Sequence, residues 1–414
     1  MWASGPGVEK VFYVERLKPD GTSTIFTSND PTDLNNAAIL FEDAMDFQIK
    51  DDYMFVTKQS KERNTLHLYI SHQRGPFFKA EFATKLDLRK FHIADVTDMR
   101  LFVSVMHTET QANLYVSQIS NSFTQYNFVL SLEQIFCYFP DGNWKNSWLE
   151  NVAEDPFTDL YRVEGLNGIY IASQVDFKSL DTATIGPKNL VSVITFDHGV
   201  NWLPVKPPTE DENGNPLHCH IENSCSLHLY QKFSQLYPVA RTANIMSSKA
   251  APGFIMATGV MGKSLEGTPG VYISRDAGLT WKKIFKDDYC YNYGDYGGVL
   301  VAVKYFNLTR SILYSTNEGI DWNAYQLSAE DLHIYHLMTE SGENTTTFTM
   351  FGSANYVHEW IIINVDLKNT FARNCTQHDY TFWSPTPLNS SESCVLGSRN
   401  TFQRRLVHTN CYHG

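Results

Sequence analysis

Short continuous apolar runs recur along this chain, each about one strand long and each followed by a segment that alternates apolar and polar residues. The continuous runs lie at 53–57, 101–104, 168–172, 254–258 and 299–303, and are expected as inner strands buried on both faces. The alternating segments, at 66–71, 113–117, 189–195, 270–274 and 312–315, each end on serine or threonine. A last group at 332–338, 347–352 and 360–365 repeats the rhythm without the closing hydroxyl residue. Few segments carry a helical period, so the pattern predicts an all-β chain of repeated strand-turn-strand units.

Three of the turns share a pattern. They read Thr195-Phe-Asp197-His-Gly199-Val-Asn-Trp202, Ser274-Arg-Asp276-Ala-Gly278-Leu-Thr-Trp281 and Ser315-Thr-Asn317-Glu-Gly319-Ile-Asp-Trp322. The hydroxyl and the carboxylate or amide suit backbone N–H groups of a tight turn, and glycine supplies a positive φ. The tryptophan opens the next strand and can fold back over the loop. This is the Asp-box repeat. Ser71-His-Gln73-Arg-Gly75-Pro-Phe-Phe78 is a degenerate copy, and a more decayed one begins at Ser117. The second and third boxes stand roughly forty residues apart, the length of a four-stranded propeller blade. An insertion at 207–230 lengthens the preceding interval. About six blades are expected up to residue 371. From residue 372 to 414, Cys, Pro, Ser and Asn rise and alternation is lost, which predicts the start of a separate disulfide-rich module.

Composition narrows the function. The net charge of −12 argues against a nucleic-acid partner, and 26 Phe with 22 Tyr suit stacked sheet faces. No apolar run is long enough to span a bilayer. Sequons at Asn307, Asn344, Asn374 and Asn389, with seven cysteines, point to a lumenal or extracellular setting. An odd cysteine count and the absence of a secretory signal suggest a fragment. Cys219 and Cys225, six apart, read as a disulfide. His218, His220 and His228 beside them match no standard zinc spacing, so no metal and no cofactor is expected.

Box-bearing sheets followed by a cysteine-rich stretch resemble the sortilin family of sorting receptors. The resemblance rests on Ser226-Leu-His-Leu229 after the Cys219–Cys225 loop, Tyr293-Gly-Asp-Tyr-Gly-Gly298, Arg373-Asn-Cys375, Asp379-Tyr-Thr-Phe-Trp383 and Cys394-Val-Leu-Gly397. It extends over the whole chain through Asp46-Phe-Gln-Ile-Lys-Asp51, residues 248–259 and Phe402-Gln-Arg-Arg-Leu-Val-His408. It implies part of a ten-bladed Asp-box β-propeller and the beginning of a ten-cysteine module. It also implies the lumenal part of a type I membrane receptor, anchored by a segment outside this chain. Such receptors carry peptide, propeptide or protein cargo between Golgi, cell surface and endosomes. Carried over residue by residue, the resemblance makes Phe55, Thr57 and Leu68 ligand contacts. Leu66 stands where the family has an arginine that meets a ligand carboxylate, with Arg63 and His67 nearby. The resemblance also pairs Cys375 with Cys411 and leaves the partner of Cys394 outside the chain. Cys137 and Cys290 have no family counterpart; a bond between them and burial as small apolar residues both remain open.

A competing reading is an Asp-box propeller of sialidase or glycan-binding type. Sialidase-type propellers also carry boxes, and Tyr161-Arg-Val-Glu164 approaches their first arginine motif, with glutamate in place of proline. The box acids Asp197 and Asp276 are expected to be structural, so no catalytic residue is assigned. The fourteen histidines suggest weaker cargo binding in acid.

Overall fold

The computed structural model describes residues 2–3, 11–30, 36–60, 65–97, 100–119, 123–145, 147–179, 184–237, 245–305, 307–340, 342–354, 359–385 and 399–414. The described residues divide into two compact units, 1–158 and 159–414. Both are built from antiparallel sheets of neighbouring strands, the arrangement of propeller blades.

The first unit holds three such meanders. The first joins Trp2–Ala3, Phe12–Leu17, Ser23–Ser28 and Ala38–Ala44; the second joins Asp46–Lys50, Tyr53–Gln59, Leu66–His72 and Phe78–Phe82. The third joins Lys90–Val96, Arg100–Met106, Ala112–Ile119 and Tyr126–Leu132. The outer strands of the second and third pair in parallel, Ala80 opposite Tyr126, so the two form one eight-stranded sheet.

The second unit continues the series. Its fourth meander runs through Leu160–Arg162, Tyr170–Val175, Leu190–Thr195 and Leu203–Pro204. The fifth contains Ser226–Leu229, Ile255–Gly262, Gly270–Ser274 and Lys282–Phe285. The sixth contains Tyr289–Gly294, Val299–Lys304, Ser311–Ser315 and Asn323–Gln326. In the last sheet Leu332–Thr339, Thr347–Ala354 and Glu359–Asp366 follow in order. Its fourth strand, Leu308–Thr309, comes from within the sixth. Seven such meanders are thus present among the described residues, two of them joined in one sheet. The first meander lies ahead of the runs singled out in the sequence, and its own apolar stretch, Ala38–Phe41, falls in its fourth strand.

The apolar runs expected to be innermost are each second in their sheet. A strand of mixed composition precedes every one, such as Asp46–Lys50 before Tyr53–Gln59. The second strand is flanked by sheet on both sides and packed on both faces, which is why its sequence is nearly continuous in apolar residues. Tyr53–Gln59 shows this directly: Met54 and Val56 face Tyr13 and Ile25 of the first sheet, while Phe55 faces Val103 and Val105 of the third. The same stacking joins Ile194 to Ile255, Ile273 to Leu300, and Val301 to Phe348 in the second unit. Sheet faces therefore meet in sequence order within each unit, each pair sharing one apolar layer.

Past the last sheet the chain forms short paired segments. Arg373–Asn374 runs parallel to Cys411–Tyr412, and Tyr380–Trp383 pairs antiparallel with Phe402–Arg405.

Candidate functional site

The three boxes form the same hydrogen-bonded clasp. In the second, the Ser274 hydroxyl donates to Asp276 Oδ1 at 2.9 Å and accepts the Gly278 N–H at 2.8 Å. Asp276 Oδ1 also accepts the Thr280 N–H at 2.8 Å. The first clasp repeats this with Thr195, Asp197, Gly199 and Asn201, and the third with Ser315, Asn317, Gly319 and Asp321. An amide serves at Asn317 because the turn needs an acceptor oxygen and not a charge. Trp281 closes its own loop by donating from Nε1 to the Gly278 carbonyl at 3.1 Å, whereas the Trp322 ring packs at 4.7 Å from Phe285.

Two consecutive residues, not one, are left-handed in each clasp: His198–Gly199, Ala277–Gly278 and Glu318–Gly319. The glycine also lies against the preceding sheet; a Cβ on Gly278 would meet Ile194 Cδ1 at 2.6 Å. The degenerate copy is a different turn. Its left-handed pair is Gln73–Arg74, one position earlier, and the Ser71 hydroxyl donates to the Gly75 carbonyl at 2.6 Å. Gln73, an amide one methylene longer than Asn and itself left-handed, stands where the three boxes have Asp or Asn.

Between their fixed positions the boxes present other groups, which the clasp reading overlooked. Arg275 Nε donates to the Glu318 carbonyl at 3.0 Å, linking the second box to the third. Glu318, buried and left-handed, accepts from Arg404 Nη2 at 3.1 Å. The Arg404 guanidinium also donates to the Arg275 carbonyl at 2.6 Å and lies 5.1 Å from the Trp383 ring. Beside it, buried Arg405 donates to the carbonyls of Thr316 at 2.6 Å, Gly298 at 3.0 Å and Cys411 at 2.6 Å. Box loops and sheet turns thus form a platform on which the described residues of 372–414 are docked.

The other half of the platform is the turn Tyr293-Gly-Asp-Tyr-Gly-Gly298. Asp295, Tyr296 and Gly297 have φ values of 49°, 55° and 83°, three left-handed residues in succession. That path turns the Asp295 carboxylate inward, where it accepts the N–H groups of His413 at 3.1 Å and Gly414 at 3.3 Å. Burial raises the Asp295 pKa to about 6, with the two N–H donors and the Arg405 charge pulling the other way. A cavity of about 270 Å³ lies along this seam, lined by Ala251, Phe254, Tyr296, Tyr380, Arg404 and His413 among others.

The cysteines fall into two bonds, Cys219–Cys225 and Cys375–Cys411, while Cys137 and Cys290 remain thiols. His228 is not aimed at a metal: Nδ1 accepts the Ser192 N–H at 3.0 Å and Nε2 lies 3.0 Å from the Gly262 carbonyl. The side chains of Cys375, Asp379 and Cys411 cluster as metal ligands would, but the sulfurs are bonded to each other and Asp379 holds Arg373. Asn307, Asn344 and Asn374 are exposed. Asn389, Cys394 and Arg63 lie outside the described residues.

Phe55 and Leu68 are 2% and 1% exposed, inside the apolar layer between the second and third sheets. Thr57 is buried too, paired with Leu68 across the strands. Phe55 and Leu68 pack within that layer. Leu66, at the position of the missing arginine, is half-buried against the same layer. The outermost strands of that sheet are Asp46–Lys50 and Lys90–Val96, and Lys50 Nζ reaches from one to the Ala94 carbonyl of the other at 3.0 Å. Sequence composition gave no signal for these edges. Of the enzyme-like motif, the Tyr161 hydroxyl meets the Ser247 hydroxyl at 2.8 Å and Arg162 lies 4.0 Å from Glu164.

Comparison with known proteins agrees with this architecture. A family model described as sortilin, neurotensin receptor 3, matches residues 8–337, and its C-terminal counterpart matches 339–414. The chain belongs to the sortilin family. It is 37% identical over 410 residues to the sortilin-related receptor of Homo sapiens, covering 97% of this chain and 18% of that protein. The Oryctolagus cuniculus sortilin-related receptor gives the same figures. The VPS10 domain-containing receptor SorCS1 of Mus musculus is 30% identical over 370 residues, 88% of this chain and 29% of that protein. The chain therefore spans under a third of the length of these relatives. No helix among the described residues is long and apolar enough to cross a membrane.

Proposed function

We propose that the chain is the ligand-binding part of a sorting receptor. It works on the lumenal or extracellular side of a membrane, anchored by a segment outside these residues. Its cargo is a peptide, a propeptide or an extended stretch of a protein, moved among Golgi, endosomes and cell surface. Membership of a receptor family supports this over a glycosidase, and the box acids are consumed as turn acceptors.

The observation that carries the binding mode is that Asp46–Lys50 and Lys90–Val96 are the outermost strands, and so the two edges, of the eight-stranded sheet. An extended peptide satisfies such an edge by adding a strand, with affinity from main-chain hydrogen bonds. Phe55, Thr57 and Leu68 then act from behind, fixing the sheet to which the edge strand belongs. Leu66 offers no charge to a ligand carboxylate, so the peptide terminus contributes little.

Neurotensin, named in the description of the matching family, is the probe. Calorimetry with the free-acid and C-terminally amidated peptides should give equal affinities, with slowed hydrogen exchange at residues 46–50 or 90–96. Tight binding of the acid alone would show a carboxylate anchor and overturn this mode. Absence of saturable binding by either form, together with glycosidase turnover, would overturn the receptor reading itself.

A further inference from the structure

Two groups that titrate in opposite senses are brought together at the docked seam. Asp295 is fully buried on the turn of the sixth sheet, and His413 lies on the cysteine-rich segment opposite. The His413 N–H donates to both oxygens of Asp295, at 3.1 Å each. The His413 ring is placed by the Tyr380 hydroxyl, 3.1 Å from Nδ1, and by the Tyr296 ring at 5.7 Å.

We propose that Asp295 and His413 are a proton-compensating pair that keeps the cysteine-rich segment docked on the sixth sheet as its surroundings acidify. Burial disfavours the charged form of each. For Asp295 the charged form is the deprotonated one, so docking favours proton uptake. For His413 it is the protonated one, so docking favours proton loss.

The other charged and titratable groups around the pair come from both sides. Arg405 and Tyr380 face it from the hairpin, and Tyr296 from the turn. Glu318 and Asp379 act on Arg405 from farther off, and Arg404 is held by Glu318. Arg405 spends its donors on three carbonyls, and its remaining field opposes a charge on His413 while favouring one on Asp295.

Burial raises Asp295 from 3.8 to about 6, while burial and then Arg405 lower His413 from 6.5 to about 4. Alone, Asp295 would strengthen docking as pH falls through 6, because the docked state binds the extra proton. Alone, His413 would weaken docking as pH falls from 6.5 through 4, because the released state binds it. Near pH 5 the docked pair holds one proton, on Asp295, and the released pair also holds one, on His413. Equal proton counts mean no dependence on pH.

The test is amide exchange protection at residues 403–405 and 411–413 of the full chain, corrected for intrinsic rates, between pH 4 and 6.5. The native chain should hold its protection constant. His413→Asn should gain protection on acidification and Asp295→Asn should lose it, each by up to about tenfold per pH unit, the limit for one uncompensated proton. Protection in the native chain that falls with acid, or two variants with slopes of the same sign, would overturn the pairing. Should Asp295→Asn fail to fold, the His413 imidazole resonance of the native chain decides: a midpoint near 4 is expected, and one near 6.5 overturns the proposal.

Discussion

Glu318 joins two Asp-box loops to the cysteine-rich segment through both of its oxygen-bearing groups. Its carboxylate accepts from Arg404 at 3.1 Å, and its carbonyl accepts from Arg275 Nε at 3.0 Å. The left-handed conformation at Glu318 makes both directions available from one residue, because the peptide carbonyl turns away from the side chain. With 9% of its surface exposed, the carboxylate sits in a setting where a lost partner is poorly replaced by water.

Replacing Glu318 with glutamine should therefore cost about 1–3 kcal/mol, because Arg404 and Arg275 lose their shared counter-charge. Arg405→Lys should cost at least as much, since an ammonium cannot reach three carbonyls arranged around a planar fork. Urea unfolding of both variants checks this. Values within a few tenths of native would show that the seam is held by apolar contact instead.

Gly253 should be irreplaceable by alanine. Its φ is +83°, and a Cβ there would lie 2.5 Å from the Trp383 ring, which belongs to the docked segment. Gly253→Ala should cost more than about 1 kcal/mol from backbone strain alone. It should also displace the indole, read as a red shift and greater quenching of Trp383 fluorescence against a Trp383→Phe reference.

Asp276→Ala removes the acceptor for the Thr280 N–H and the Ser274 hydroxyl together, and should cost about 1–3 kcal/mol. Asp276→Asn keeps the acceptor oxygen, as Asn317 does in the third box, and should cost under about 1 kcal/mol. Thermal unfolding midpoints rank the two. Equal losses would mean that charge, and not acceptor geometry, holds the clasp.

His228 should make the fold acid-sensitive. Burial lowers its pKa from 6.5 to about 4, so the folded state holds it neutral. Its contribution is complete above pH 6.5 and is lost as pH falls from there through 4, because the unfolded chain takes up the proton first. The imidazole resonances of His228 should stay in the neutral form at pH 5.5. Titration with a midpoint near 6.5 would show that the ring is not enclosed.

The clasps were legible because they are local. Each hydrogen bond in them spans two to four residues, so spacing alone specifies the turn, and the all-β character follows from the same short-range pattern. The position of a strand within its sheet was not legible. The runs singled out in the sequence are second in their sheets, where both faces are packed, and no such run marks the edges at Asp46–Lys50 and Lys90–Val96. Nor did spacing show that Phe55 and Leu68 lie in one packed layer with Val103 and Val105 of the neighbouring meander.

What the sequence determined by itself is the set of turns, the β character and the family, all carried by residues close together in the chain. What only the tertiary structure decided is the platform that brings Arg275, Asp295 and Glu318 against Arg404, Arg405 and His413. Those residues are separated by 86 positions for Glu318 and Arg404 and by 118 for Asp295 and His413. No local spacing encodes such a meeting, because it depends on how successive sheets stack and on where their turns emerge.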